Sequence, residues 1–316
     1  MDSRTVGNCG LLVSAVGLGC NNFGGRIDLD ATRAVVGRAL EEGITLFDTA
    51  DIYGGGGRSE EFLGQALSGH RDQVVLATKF GHQDHDMGYG PAAGARGGRA
   101  YVRRAVEGSL RRLRTDHIDL YQLHTPDPLT PIAETLAALQ ELVAEGKVRY
   151  IGHSNLSGWQ LAEAAHVAAE LGTAPFVSAQ NHWSLLERDV EREVVPAAEH
   201  YGVGVIPYFP LAQGLLTGKV RRGDDVPAGT RLHGRQHLLS DATLERVEAL
   251  RELGERLGRS LLELAFGGLL GRPAVASVIA GATRPEQVSA NVAAGSWVPT
   301  DEELAAIDAV VPPPAA

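Results

Sequence analysis

Residues Gly43–Gly57 read GITLFDTADIYGGGG. Their apolar run, Ile44, Leu46 and Phe47, lies between a glycine and a polar stretch, as a buried strand ending at a surface does. That strand delivers Asp48 at its C-terminal end, and Tyr53 follows within reach on the loop. A carboxylate and a phenol at a strand mouth are costly to desolvate without partners. The partners must come from elsewhere in the chain.

Outward from this stretch the pattern repeats. Arg4–Val13, with Gly7-Asn8 and Gly10, reads as a hairpin and Val16–Gly19 as a short strand. Asp28 or Asp30 caps a helix with Ala31, Val35, Val36, Ala39 and Leu40 on one face, and Gly43 stops it. Ser59 opens the next helix. Strand Val74–Lys79, a long loop Gly81–Gly98, a helix carrying Val102, Val106 and Leu110, and strand Ile118–Leu123 follow. Then come helix Ile132–Glu145, strand Val148–Gly152, a helix capped by Ser157, strand Val177–Gln180, helix Val190–Tyr201 and strand Val203–Tyr208. A second long loop, Pro210 to about Ser240, precedes helices Leu244–Leu257 and Leu261–Leu270, strand Val275–Ile279 and helices from Pro285 and Asp301.

Eight strand–helix alternations require parallel strands and predict an α/β fold, a (β/α)8 TIM barrel. The N-terminal β-hairpin precedes it, and the long loops fall at its C-terminal face. An open doubly wound sheet would carry G-x-G-x-x-G after its first strand, and Gly17-Leu18-Gly19-Cys20-Asn21-Asn22 lacks the third glycine. No boundary interrupts the rhythm, so residues 1–316 are expected to form a single domain.

The 316 residues are 44% apolar and 22% charged, ordinary values for a soluble globular protein. A formal net charge of −10 argues against general nucleic-acid binding, which needs a basic surface. The two cysteines, Cys9 and Cys20, are not spaced as metal ligands. Met1-Asp2-Ser3-Arg4 opens without an apolar signal core, and no apolar run approaches the roughly 20 residues that cross a bilayer. The expectation is a cytoplasmic protein without membrane or nucleic-acid partners.

Four polar residues stand at or just beyond successive strand exits: Asp48, Tyr53, Lys79 and His124. In such a barrel the active site occupies that face. A free tyrosine titrates near 10 and is a poor proton donor near neutrality. A neighbouring ammonium lowers that value, and a carboxylate behind the ammonium keeps it charged. Asp48, Lys79 and Tyr53 supply this chain, and His124 can hold a substrate oxygen.

These residues resemble the aldo-keto reductase superfamily. FDTADIYG matches its signature around Asp48 and Tyr53, LATKFG matches at Lys79, and DLYQLHTPD matches at His124. The resemblance runs from Gly7 to Asn291. It implies an Asp-Tyr-Lys-His tetrad and an oxidoreductase that reduces an aldehyde or ketone with NADPH by transfer of the 4-pro-R hydride. Tyr53 would be the general acid, the partner a small carbonyl or alcohol, and the protein a monomer or weak homo-oligomer.

The resemblance also implies the NADPH/NADP+ residues. In GHSNLS, Ser154 and Asn155, with Gln180, would hold the carboxamide. Tyr208 takes the place of the ring that stacks on the nicotinamide. The segment Phe209, Pro210, Leu211, Gln213 and Gly214, with Lys219 and Arg231, would cover the pyrophosphate. Gly281, Thr283, Arg284, Gln287 and Asn291 match the adenosine and 2′-phosphate site, and the Arg284 fork favours NADP over NAD. Cys20 and Asn21 would face the nicotinamide ribose and substrate, beside Asp48. Phe209 departs from the usual small serine and either narrows the cofactor tunnel or packs outward. Ala280 departs from proline. Trp183 either lines the cleft or packs in the core.

His82-Gln83-Asp84-His85-Asp86 and the pair His233 and His237 have ligand-like spacing but lack a matching third element, and no metal is expected. Gly214–Lys219 falls one residue short of a phosphate loop. Two alternative functions share these residues: an NADP-binding regulatory subunit with little or no turnover, and a sugar or alcohol dehydrogenase running oxidatively.

Overall fold

Strands β1 (Ser3–Thr5) and β2 (Leu12–Ser14) pair antiparallel as the hairpin. The computed structural model describes residues 1–219, 232 and 238–315. Eight parallel strands follow: β3 (Val16–Gly19), β4 (Leu46–Asp48), β5 (Val75–Phe80), β6 (Ile118–Leu123), β7 (Val148–Ser154), β8 (Phe176–Gln180), β9 (Gly204–Val205) and β10 (Val278–Gly281). Their order, β10-β3-β4-β5-β6-β7-β8-β9, is sequential around the sheet. Val205 closes the ring through a parallel bridge to Val275: its N–H donates to Ala274 O at 2.7 Å and its carbonyl accepts from Ala276 N at 2.9 Å. The expected (β/α)8 barrel is the observed fold.

Strand alternation sorts the residues into layers. Phe47, Leu76, Phe80, Tyr121 and Val205 face outward into the main core beneath the helices. Leu46, Ala77, Leu120, Ile206 and Ile279 form a separate apolar cluster with Val6, Leu11 and Val13 of the hairpin. The hairpin thus seats on the apolar floor of the barrel, and Asn8 N donates to Gly202 O at 2.8 Å just before β9. Two residues beyond Leu46, Ala77, Leu120 and Ile206 the inward positions turn polar: Asp48, Lys79, Gln122 and Tyr208. An apolar floor under a polar layer is what places chemistry at the C-terminal mouth.

Helix starts follow the sequence. Asp28 Oδ1 accepts from Ala31 N at 2.9 Å and caps Leu29–Glu41. Ser157 and Gln160 form a capping box on Gly158–Leu171, a device worth about 1 kcal/mol.

Several elements differ from expectation. The helix expected to open at Ser59 begins at Arg58 behind Gly57, and Ser59 turns inward to donate to Cys20 O at 2.8 Å. Val190–Tyr201 is broken into a 3-10 turn, Asp189–Glu191, and a helix, Val194–Tyr201. Pro196 explains the break, because a proline fits only the first helical turn and cannot donate to a carbonyl four residues back. Val203–Tyr208 is regular only at Gly204–Val205, and the last strand lies three residues later than Val275. Arg231, His233 and His237 lie outside the described residues. Among the described residues no helix is long and apolar enough to cross a membrane.

Candidate active site

The polar layer opens into a cleft of about 840 Å³ lined by residues from nearly every strand exit. Asp48 and Lys79 meet on its floor, where Lys79 Nζ donates to Asp48 Oδ2 at 2.6 Å and to Thr49 O at 2.8 Å. Asp48 Oδ1 accepts from Gln180 Nε2 at 2.9 Å and from Gln122 Nε2 at 3.4 Å. Ser178 Oγ donates to Gln122 Oε1 at 3.1 Å. Three donors meet the Asp48 carboxylate and hold it under the ammonium.

Tyr53 opens a four-residue turn, Tyr53–Gly56, in which Gly54 has φ +73°. A Cβ on Gly54 would lie 2.8 Å from Phe23 O and 2.9 Å from Ser59 N, so only glycine permits this bend. The turn sets the Tyr53 ring with its centre 5.3 Å from Lys79 Nζ and edge-on to His124, 5.9 Å between ring centres. All four residues expected at strand exits are together.

Burial pushes the Tyr53 phenol above its ordinary value, and the Lys79 ammonium pulls it down without cancelling that rise. The expected net lowering is therefore not what this state shows: desolvation of the phenolate outweighs the neighbouring charge. Burial pulls Lys79 down as well, but Asp48 and Tyr53 together hold it above the usual lysine value. His124 is depressed well below its ordinary value by burial, then by Lys79 and His82, which keeps its imidazole neutral. Its backbone is anchored by Asn155 Nδ2, which donates to His124 O at 2.9 Å.

The residues expected to hold a cofactor fall along the same cleft. Cys20, Asn21, Ser154, Asn155, Gln180 and Tyr208 line one part of it, and Phe209, Pro210, Leu211, Gln213, Gly214 and Lys219 continue its wall. Gly281, Thr283, Arg284, Gln287 and Asn291 complete the wall at the start of helix Pro285–Ala294. Tyr208 Oη donates to Asn155 Oδ1 at 2.9 Å, and its ring lies nearly parallel to His182, 5.3 Å between centres. Gln180 serves two ends, facing the cleft while bound to Asp48.

Phe209 lines the cleft edge-on to Tyr208, 5.2 Å between ring centres. Trp183 is fully buried and its Nε1 donates to Glu191 Oε1 at 2.8 Å, so it packs in the core. Sequence reading missed Gln122 and Ser178, whose signal was a polar side chain within an otherwise apolar strand. It also gave His82 no place in the site, though His82 lines the cleft edge-on to His124, 4.6 Å between ring centres. Its position, three residues after Lys79, was the available clue.

The chain is also similar to known proteins. The Aldo/keto reductase family model matches residues 15–312. The chain is 39% identical to the uncharacterized oxidoreductase YrpG of Bacillus subtilis, covering 99% of this chain and 97% of the relative. It is 35% identical to L-glyceraldehyde 3-phosphate reductase of Escherichia coli O157:H7, over 98% of this chain and 92% of that one. A probable voltage-gated potassium channel subunit beta of Oryza sativa subsp. japonica is also 35% identical, over 98% and 97%.

Proposed function

Because the chain belongs to the aldo/keto reductase family, we propose that it reduces an aldehyde or ketone to an alcohol with NADPH, Tyr53 serving as general acid. The observation that carries this reading is the Tyr53 ring, 5.3 Å from an ammonium that Asp48 holds at 2.6 Å.

The cleft residues fit a dinucleotide. Tyr208 offers an aromatic face fixed by Asn155 on one side and His182 on the other. A Cβ on Gly281 would lie 2.9 Å from Asn22 Nδ2 and 3.3 Å from Asn21 Oδ1, so glycine keeps that part of the wall open. Arg284 precedes the N-terminus of helix Pro285–Ala294, whose positive dipole end suits a phosphate. Bound there, NADPH supplies the hydride.

The protein's own residues handle the proton. Tyr53 keeps its proton at neutral pH because burial disfavours the phenolate. As the carbonyl oxygen gains charge, Tyr53 donates to it, and Lys79 stabilises the phenolate left behind. Asp48 prevents Lys79 from losing its charge in the buried site. Neutral His124 can donate a hydrogen bond to the same oxygen, so the donors are in place before charge develops. A phenol that holds its proton suits donation to the carbonyl oxygen.

The test is a titration of the purified protein with NADPH and NADH, followed by a panel of aldehydes and ketones. The relative named L-glyceraldehyde 3-phosphate reductase makes phosphorylated aldehydes early members of that panel. NADPH binding with aldehyde turnover supports the reading. Binding without turnover favours the regulatory alternative, to which the relatives named as channel subunits lend their similarity.

A further inference from the structure

Behind the Tyr53 turn lies a second polar group that the proposed reaction does not use. Asp51, Glu60 and Tyr121 have no exposure at all, and Tyr101 retains 6%. Glu60 is fully engaged: Oε1 accepts from Thr78 Oγ1 at 2.6 Å and Oε2 from Arg112 Nε at 2.6 Å. Asp51 is not. Neither of its carboxylate oxygens makes a well-aligned hydrogen bond, though the Ile52 amide lies beside them, and the Tyr121 hydroxyl lacks one too.

A buried carboxylate without partners is among the most expensive groups a protein can hold in charged form. The elements around Asp51 do little to offset it. Helix Arg58–Ala66 faces it with Glu60, and helix Arg99–Leu113 with Arg112 and Tyr101. β5 contributes Lys79, β6 Tyr121 and the Gly81–Gly98 loop Tyr89. Asp86, on that same loop, adds a further negative charge beside Tyr101. Burial and then the Glu60 charge raise Asp51 to about 8, and Arg112, the Ile52 amide and Lys79 pull the other way without restoring it. This shift favours the protonated form of Asp51 near neutral pH.

Asp51 is also tied mechanically to the reacting groups. Its N–H donates to Lys79 O at 3.1 Å, while Thr49 O accepts from Lys79 Nζ at 2.8 Å. Tyr53 N donates to Ala50 O at 3.1 Å, so the short segment from Thr49 to Tyr53 is pinned to Lys79 at both its backbone and its side chain. A displacement of Asp51 moves Tyr53 relative to the ammonium.

We propose that Asp51 is a positioning residue that works in its neutral form: protonated, it packs among the buried side chains behind the turn and holds Tyr53 against Lys79, and its ionisation beside Glu60 displaces the turn and slows turnover. This rests on the reductase reading above. It predicts an alkaline limit on activity that belongs to Asp51 and not to the phenol, which burial raises above its ordinary value.

The test is kcat against pH from about 6 to about 11 for the wild type and Asp51→Asn, at saturating NADPH with an aldehyde the wild type turns over. The wild-type kcat is expected to fall above about pH 8, approaching tenfold per pH unit. Asp51→Asn, which cannot ionise, should shift that limb upward by more than one unit. A wild-type profile flat to about pH 10, or the same limb in both proteins, overturns the proposal. Should Asp51→Asn not fold, the infrared band of a protonated carboxyl is followed in the wild type. Loss of that band with the same midpoint as kcat supports the role, and a band absent at about pH 6 or a midpoint more than one unit away removes it. No turnover by the wild type at any pH defeats the reductase reading, and this inference with it.

Discussion

Lys79 Nζ and Asp48 Oδ2 lie 2.6 Å apart with side-chain exposures of 0% and 3%. Neither group has water to fall back on, so each depends on the other and on the amides around them. This pair holds the charge that the phenol beside it needs, and it also couples activity to stability.

Replacing Lys79 by Met removes one partner of a buried pair. Such losses cost about 3–5 kcal/mol, because a carboxylate is left desolvated. Lys79→Met is therefore expected to lower the denaturation midpoint and abolish turnover together, whereas Lys79→Met with Asp48→Asn recovers much of the stability and none of the activity. Denaturant unfolding and steady-state kinetics on both variants check this. Recovery of activity in the double variant would contradict it.

Arg284 is the planar cation at the head of helix Pro285–Ala294. Its replacement by Ala should weaken NADPH binding about tenfold or more while leaving NADH nearly unchanged, since only NADPH carries the extra phosphate. Fluorescence titrations with the two cofactors measure it. An equal loss for both would place the 2′-phosphate elsewhere.

His153, on β7, is fully buried against Phe176 with no partner on either ring nitrogen. Burial lowers it to about 3 from 6.5. Protons then favour the unfolded chain: the stability is intact above about pH 6.5 and is lost as pH falls towards 3, by up to about 5 kcal/mol from this residue. His153→Leu should flatten the acid side of a stability–pH series measured by denaturant unfolding. Parallel curves for the two proteins would argue against it.

The barrel and its mouth were legible because both rest on local pattern. Eight apolar runs alternated with helices, several of them ending in a polar residue such as Asp48, Lys79 or His124, and a glycine after Tyr53 marked a bend that a Cβ would block. What escaped the sequence depends on distant neighbours. Gln122 matters only because Asp48 and Ser178, from two other strands, meet it inside the barrel. Ser59 reads as a cap but turns inward to Cys20, and the direction of the Tyr53 shift depends on burial, which no motif states. Asp51 reads as a loop residue within the signature, and its burial appears only once the flanking helices are packed over it.

The central claim is that Tyr53 carries the proton. Its most direct test is Tyr53→Phe, compared with the wild type for NADPH affinity and for turnover of an aldehyde the wild type reduces. The account predicts NADPH binding within about twofold of the wild type and kcat reduced by about 100-fold or more. Turnover preserved in Tyr53→Phe, with NADPH still bound, would contradict it.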